Sequence, residues 1–461
     1  MHKLISFLGT GDYLQVNYCF DSKSVSTKFA LRGIAELTNI ECKYEQIIVL
    51  CTNESKSKFQ ELMAQLVLGG FQPEQIIQEI ISDNRTSEEQ WKSFEKIIGF
   101  VENEDSVSFD FTHGFRSVPI ILSAALHFIL KVKPSVTLRG VYYGLFEKGQ
   151  PDAPIIDMKT FYEINEWADG VSRLVDQADT SKLVELGRNK SFSNFVNIRK
   201  PELVNALQDL TECLHNIDVN GVGEKATKAI SILDNALLNG SSSEQQLLKL
   251  AIEKFSVIVP KNNLSNKYDE NYFRLQLEII KMLLKHKIFM QAFTVMRELI
   301  GSFGMAGLPS KKNELYHKDG QRARDQYAGE FIQMIENGEK YEITTKSISS
   351  DAFGGNNNFK EEKVNFKTLI ENEGKYDLKL NDRARKFYAL LPVFQDLMKI
   401  GLIQKLQEIG GDLKSIRNGF DHAWLGAGDQ NKKLLMELEG KGEKFLKILS
   451  EAVELYSIHK S

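Results

Sequence analysis

An α/β unit built on a parallel-rich, Rossmann-like sheet, followed by an all-α remainder, is the fold class this sequence predicts. Three observations carry the prediction. Short β-branched runs alternate with segments of helical period over the first 165 residues or so. Strand signals then nearly vanish while amphipathic helical patterns continue. The chain is 461 residues long, too long for one core, and at roughly 150 residues per domain it suggests about three structural units.

In order, the runs are "KLISFL", a helix near 26–38, "QIIVLC", a helix near 55–68 and "EQIIQEI". The pair Thr86-x-x-Glu89 is a capping box that opens a helix to about 101, and "SVSFDF", a helix over 117–132 and "SVTLRGVYYG" follow. Strand after helix after strand argues a parallel sheet covered on both faces, in which ligands sit beyond the carboxyl ends of the strands. Further on, helices are expected near 201–215, 223–238, 243–257, 269–285 and 288–300. The polar breaks "LLNGSSSEQQ" and "VPKNNLSNKYDEN" mark a small helical unit ending near 262. The stretch 338–380 is rich in Gly, Asn and charge without sustained period, and reads as an insertion or loop. Helical patterns resume after it, the first with Pro392 inside, where a kink is expected. The expected domains are therefore 1–165, a helical linker over 166–262, and a helical domain over 263–461.

Hydrophobic residues make up 42% of the chain and charged ones 26%, enough for each unit to bury a core. A formal charge of −4 gives no global basic field, so any anion site must be local. No apolar run approaches the ~20 residues of a membrane span, and the opening segment turns polar after Leu8; no membrane association and a cytoplasmic location are expected. Cys19, Cys42, Cys51 and Cys213 form no C-x-x-C pair and no zinc spacing, and are expected to be reduced.

Three polar loops follow three of the strands: "GTGDY" (9–13), "TNES" (52–55) and "THGFRS" (112–117). In a parallel sheet they converge on one edge. Gly9 and Gly11 permit close backbone approach, Thr10, Thr52, Thr112 and Ser117 bring hydroxyls, and His113 and Arg116 bring donors near a helix start. Such a set suits phosphate and base recognition. Asp110, at the end of its strand, is expected to brace the loop rather than to react. The plainer reading, that the glycines only turn the chain and His113 only caps a helix, weakens when three loops share an edge. A dinucleotide fingerprint would need glycine where Leu14 stands, the phosphate-binding loop of nucleotide hydrolases is absent, and no cluster of ligands suggests a catalytic metal.

"LKSIRNGFDHAWLG" (413–426) is the second dense stretch. Ile416, Phe420 and Ala423 share a helical face and are expected to pack inward. That leaves Arg417, Asn418, Asp421 and His422 outside. An imidazole for proton transfer and a fixed guanidinium for phosphate are what metal-free RNA cleavage requires. Five positions at about 100° each set Arg417 and His422 about 140° apart, so Arg417 must reach round or serve a neighbouring chain. The plainer reading is an Arg417–Asp421 surface pair beside an incidental histidine.

Together, "FLGTGDY", "DFTHGFRSVP", the helical linker and "IRNGFDHA" resemble the CRISPR-associated CARF–HEPN ribonucleases of type III systems, over nearly the whole chain. The resemblance implies that the sheet domain is a CARF sensor of a cyclic oligoadenylate, cyclic tetra-adenylate or another ring size, with no other cofactor. Carried over by position, Gly9, Thr10, Gly11, Asp12 and Tyr13, then Thr52 and Asn53, then Thr112, His113, Gly114, Arg116 and Ser117 would line its pocket. Two chains would pair, as a homodimer or a higher even oligomer. The C-terminal domain would be a HEPN ribonuclease cutting single-stranded RNA without metal, through Arg417 and His422 aided by Asn418. "QAFTVMRELIG" resembles the helix entering that domain, where Arg297 and Glu298 would buttress the active helix. A ligand-responsive transcriptional regulator and a nuclease degrading its own cyclic ligand are the alternatives.

Overall fold

The computed structural model describes residues 1–39, 43–82, 86–113, 118–147, 149–188, 195–262, 264–348, 359–371, 382–421 and 436–460. The chain divides into two compact units, one ending at Trp167 and the other beginning at Ala168.

The first unit is an eight-stranded sheet. Its strands are β1 (His2–Leu8), β2 (Val16–Phe20), β3 (Lys23–Thr27), β4 (Gln46–Cys51), β5 (Ile76–Ile80), β6 (Ser106–Asp110), β7 (Thr137–Gly144) and β8 (Asp152–Asp157), in the order β3-β2-β8-β7-β6-β1-β4-β5. From β7 to β5 the pairing is parallel throughout. The helices α1 (Ala30–Thr38), α2 (Phe59–Leu68), α3 (Ser87–Gly99) and α4 (Val118–Val132) connect these strands, and α5 (Lys159–Gln177) follows β8. Alternation along the strands explains the layers. On β1 and β4, Leu4, Leu8, Ile47 and Val49 enter one core with Ile34 of α1 and Leu62 of α2; Ile5, Phe7, Ile48 and Leu50 enter the other with Leu122 and Leu126 of α4. Both faces being covered, these strands read as continuous apolar runs. Each such side chain, fully buried, contributes about 1.5–3 kcal/mol.

The sequence reading omitted β2, β3 and β8. β2 and β3 form a hairpin whose turn holds Asp21 in the left-handed region at φ 52°, and β2 lies parallel to β8. Because β3 takes Lys23–Thr27, the helix expected from about 26 starts at Ala30. Thr86 caps α3 in the expected box, its hydroxyl accepting from Glu89 N–H.

The second unit is mainly helical. It contains α6 (Ser181–Arg188), α7 (Pro201–His215), α8 (Val219–Asn239), α9 (Ser242–Phe255), α10 (Glu270–Lys285), α11 (Phe289–Ala306), α12 (Lys318–Ala323), a π turn over Arg324–Ala328 and α13 (Gly329–Asn337). After these come β9 (Glu342–Ile348) and β10 (Phe359–Asn365), then α14 (Phe366–Glu371), α15 (Asp382–Lys399), α16 (Leu402–Asp421) and α17 (Leu438–Lys460). The helices on either side of residue 262 fall in this same unit. α8 starts at Val219, earlier than its pattern suggests, because the Asp218 carboxylate caps Gly221 N–H. The insertion is more regular than its composition implies: β9 and β10 pair antiparallel, with Ile343 and Val364 buried, while 349–358 and 372–381 lie outside the described residues. α15 continues through Pro392, so the proline does not divide it. No described helix is long and apolar enough to cross a membrane. Cys19, Cys51 and Cys213 are free thiols, and Cys42 lies outside the described residues.

Gly410 sets how closely α16 lies on α13: a Cβ there would stand 2.9 Å from the Ile335 carbonyl oxygen and 3.1 Å from Glu336 Cα. These are backbone atoms that cannot swing aside. Gly410→Ala is therefore expected to destabilise the helical unit by about 1–3 kcal/mol, seen as a lower melting temperature, whereas Gly411→Ala, whose Cβ meets nothing, is expected to leave it unchanged or raised.

Candidate functional site

β1 is the centre of a topological switch. From it the sheet grows to β4 and β5 on one side and to β6 and β7 on the other. The loops leaving the carboxyl ends of β1 and β6 therefore diverge and open a crevice between them. A cavity of 280 Å³ occupies that place, lined by Gly9, Thr10, Gly11, Asp12 and Tyr13 after β1, Thr52 after β4, and Thr112 and His113 after β6. Asn53 is exposed and does not line it. Gly114, Arg116 and Ser117 lie outside the described residues.

Each loop is pinned from within. Asp110, wholly buried, accepts from Ser6 Oγ at 2.7 Å and from Thr112 N–H at 2.8 Å, the bracing role expected of it. Thr112 Oγ1 in turn accepts from Gly144 N–H at the end of β7, leaving its own hydroxyl proton free to donate. Thr52 is buried; its Oγ1 accepts from Ser55 N–H at 3.2 Å while its own N–H donates to Ser55 Oγ at 2.9 Å. Tyr13 donates from its hydroxyl to the Gly9 carbonyl at 3.0 Å, packs on Phe29 and meets the His113 ring edge-on with centroids 5.0 Å apart. Burial, reinforced by the charge of Asp110, raises the Tyr13 phenol well above its usual range, so it stays a neutral donor.

His113 is the open valence of the cavity. Its Nε2 is buried with no hydrogen-bond partner. Burial holds its pKa below the ordinary 6.5, against the opposing pull of the Asp110 carboxylate. A neutral imidazole with an unsatisfied nitrogen on a residue lining a polar crevice can take a hydrogen bond from, or give one to, an incoming ligand. Lys58, on the turn before α2, adds a cation that the sequence reading missed. Its ammonium donates to the Thr10 carbonyl at 2.8 Å and to the Gly11 carbonyl, stands 3.9 Å from Asp12 Oδ1 and lies 5.3 Å from the centroid of the Tyr13 ring. It folds the glycine loop back and places positive charge beside the cavity.

In the helical unit, α16 carries the second set. Ile416 is buried and Phe420 packs against Phe293, as the helical face requires; Ala423 lies outside the described residues. Arg417 Nη2 pairs with Asp421 Oδ2 at 3.2 Å, both side chains more than two-fifths exposed, and Asn418 is exposed. His422 lies outside the described residues. Arg297 and Glu298 do not pair with α16 itself. Arg297 donates to Glu336 of α13 at 2.7 Å, and Glu298 pairs with Arg324 of the π turn. Arg297 thus supports α16 through α13, whose Asn337 Oδ1 accepts from Lys414 of α16 at 2.8 Å. Among the described residues no group of His, Cys, Asp or Glu could hold a metal ion.

The chain is related to a CRISPR-associated protein. That protein, CRISPR-associated protein MJ1674 of Methanocaldococcus jannaschii, is 24% identical over 226 residues, which cover 48% of this chain and 33% of the relative. The match therefore spans about a third of the relative's length. It agrees with the CRISPR association that the motifs imply. Csm6 of Enterococcus italicus, solved with cyclic hexa-2′-fluoro-hexa-dAMP, aligns over 99% of this chain and 100% of that one, with 10% identity and a TM-score of 0.40. No family model matches.

The direction of the His113 shift fixes a pH dependence. The unfolded chain binds more protons than the folded one between the lowered pKa and 6.5, so this group's contribution to stability is complete above 6.5 and is lost as the pH falls through the folded value. The His113 Cε1 proton is expected to titrate below 6.5 by NMR, and the acid-side fall in melting temperature to be shallower in His113→Gln. A midpoint at or above 6.5 contradicts this reading.

Proposed function

We propose that the chain is a cyclic-oligoadenylate-activated, metal-independent endoribonuclease of type III CRISPR defence, working in the cytoplasm. The observation that carries the proposal is the crevice at the β1/β6 switch point, lined by Thr10, Thr52, Thr112, two glycines and His113, whose Nε2 has no hydrogen-bond partner. A cyclic oligoadenylate offers matching groups: phosphates for Lys58, Arg116 and the loop amides, ribose hydroxyls for Thr10 and Thr112, and bases for Tyr13 and His113. Cyclic tetra-adenylate is the first ring to test.

Two copies pair in this reading. An apolar groove of 810 Å³ between α4 and α5, lined by Phe111, Pro119, Ile120, Ala124, Met158 and Phe161, supports it. Ile120 is 71% and Phe161 65% exposed there, an apolar patch that pairing would cover. As α4 begins at Val118, shortly after the crevice residues Thr112 and His113, pairing along it would bring two crevices near one axis.

In catalysis, the His422 imidazole takes the proton of a 2′-hydroxyl whose oxygen attacks the adjacent phosphorus. The bond to the 5′-oxygen breaks, and that oxygen leaves with a proton from the partner copy's imidazole. The products are a 2′,3′-cyclic phosphate and a 5′-hydroxyl. Arg417 neutralises the phosphate and Asn418 orients it. The Arg417–Asp421 pair is compatible with this role, since an exposed pair of this spacing is worth only a few tenths of a kcal/mol and is readily exchanged for RNA phosphate. Binding in the crevice selects the competent state of the helical pair.

The test is cleavage of labelled single-stranded RNA with chelator present, with and without cyclic tetra-adenylate. Wild type is expected to be stimulated by the ring, and Arg417→Ala and His422→Ala to cut about 10²-fold or more slowly. Variants as fast as wild type refute the ribonuclease assignment; an Arg116→Ala variant with full response refutes the sensor assignment.

A further inference from the structure

The helical unit holds two adjoining cavities, of 430 and 300 Å³, that share Asp218, Asn220 and Arg324 as walls. Neither belongs to the two sites above. The smaller is lined by Gln276 of α10, which is 1% exposed and whose Oε1 has no hydrogen-bond partner. A buried carboxamide oxygen left unpaired costs free energy that a guest would recover. Since a carboxamide can turn either its oxygen or its NH2 toward a guest, the rest of the lining decides which kind of guest fits.

That lining is acidic and rich in acceptors. Asp218, Glu224, Asp325 and Glu298 face Lys225 and Arg324. Both cations are engaged: Arg324 pairs with Glu298, and Lys225 with Asp209 at 3.4 Å. Asp218, Glu224 and Asp325 have no cationic partner among the described residues. Two of the three lining tyrosines donate within the wall. Tyr272 donates to Asn220 Oδ1 at 2.6 Å, and Tyr316 to the Asn220 carbonyl at 2.8 Å. Apart from the Gln321 carboxamide and the Tyr268 hydroxyl, which accepts from Arg324 at 3.4 Å, a guest meets carboxylate, the Gln276 oxygen and ring. Asp218 shares one oxygen with the Gly221 N–H. A phosphate would meet Asp218, Glu224 and Asp325, while Lys225 and Arg324 are each already shared with a carboxylate. No described group of carboxylates is close enough to hold a bare metal ion. The π turn over Arg324–Ala328 places Arg324 and Asp325 together on the wall, and Ile217, at φ 60°, holds a backbone conformation that β-branched residues rarely adopt.

We infer that the paired cavities bind a small aliphatic polyamine, one ammonium hydrogen-bonded to the Gln276 carboxamide oxygen beside Asp218 and another beside Glu224 and Asp325. Two lobes joined at Asp218 and Asn220 suit two ammonium groups on a flexible chain, which a single compact cation does not span.

Isothermal titration of the full chain with spermidine, without RNA and at fixed ionic strength, tests this. Saturable binding is expected, weakened about tenfold or more in Glu224→Gln, since a charge-assisted hydrogen bond is lost. Glu224 is exposed, so its replacement leaves the fold intact. Gln276→Leu is expected to weaken binding similarly, and neither change should alter the affinity for cyclic tetra-adenylate. No saturable spermidine uptake, uptake undiminished in Glu224→Gln, or equal uptake of magnesium chloride or AMP at the same site overturns the proposal.

Discussion

A single buried carboxylate, Asp110, is the constraint on which the crevice at the β1/β6 switch point depends. Taking a carboxylate out of water is tolerable only when its oxygens are hydrogen-bonded, and here the partners come from both sides of the switch point: the Ser6 hydroxyl on β1 and the Thr112 amide after β6. That requirement fixes the direction in which the chain leaves β6. Thr112 then hands the constraint to β7 through Gly144, so three neighbouring strands are joined at the ends that face the crevice. The same charge reaches the ionisable groups around it. It reinforces the burial that keeps Tyr13 and Tyr18 neutral, and it opposes the burial that lowers His113.

The glycine loop after β1 answers to a different force. Nothing in Gly9–Asp12 packs into a core; the loop is folded by Lys58, whose ammonium collects the Thr10 and Gly11 carbonyls. Together with the Tyr13 hydroxyl on the Gly9 carbonyl, that cation is what holds the loop, and an anion entering the crevice would compete for it. The crevice therefore combines a wall braced from within by Asp110 with one held from the surface by Lys58. In the helical unit the division is similar: Gly410 locks α16 against the backbone of α13, while Arg417 and Asn418 stand on its exposed side.

Much of this was legible in the sequence because it rests on period and position. The parallel strands β1, β4, β5, β6 and β7 are apolar runs bounded by turn residues, and their order puts the polar loops at one edge. β2, β3 and β8 escaped because they lie at the far edge, where half-exposed strands such as "KSVST" and "DAPIID" lack an apolar run. The β9–β10 hairpin escaped for the same reason. Lys58 was invisible because, in sequence, it is one more charge at the start of an amphipathic helix; only the fold brings it to residues 10 and 11, nearly fifty positions away. Gln276 was hidden inside an apolar helical face. For Arg417 the i,i+4 rule correctly anticipated the partner, Asp421.

If the β1/β6 crevice is the sensor, binding must leave its mark there. Amide hydrogen exchange of the full chain with and without cyclic tetra-adenylate measures this directly. The strongest protection is predicted in residues 9–13, 52–55 and 110–113. Protection confined to the helical unit, or none at a saturating concentration of every ring size tried, would contradict it.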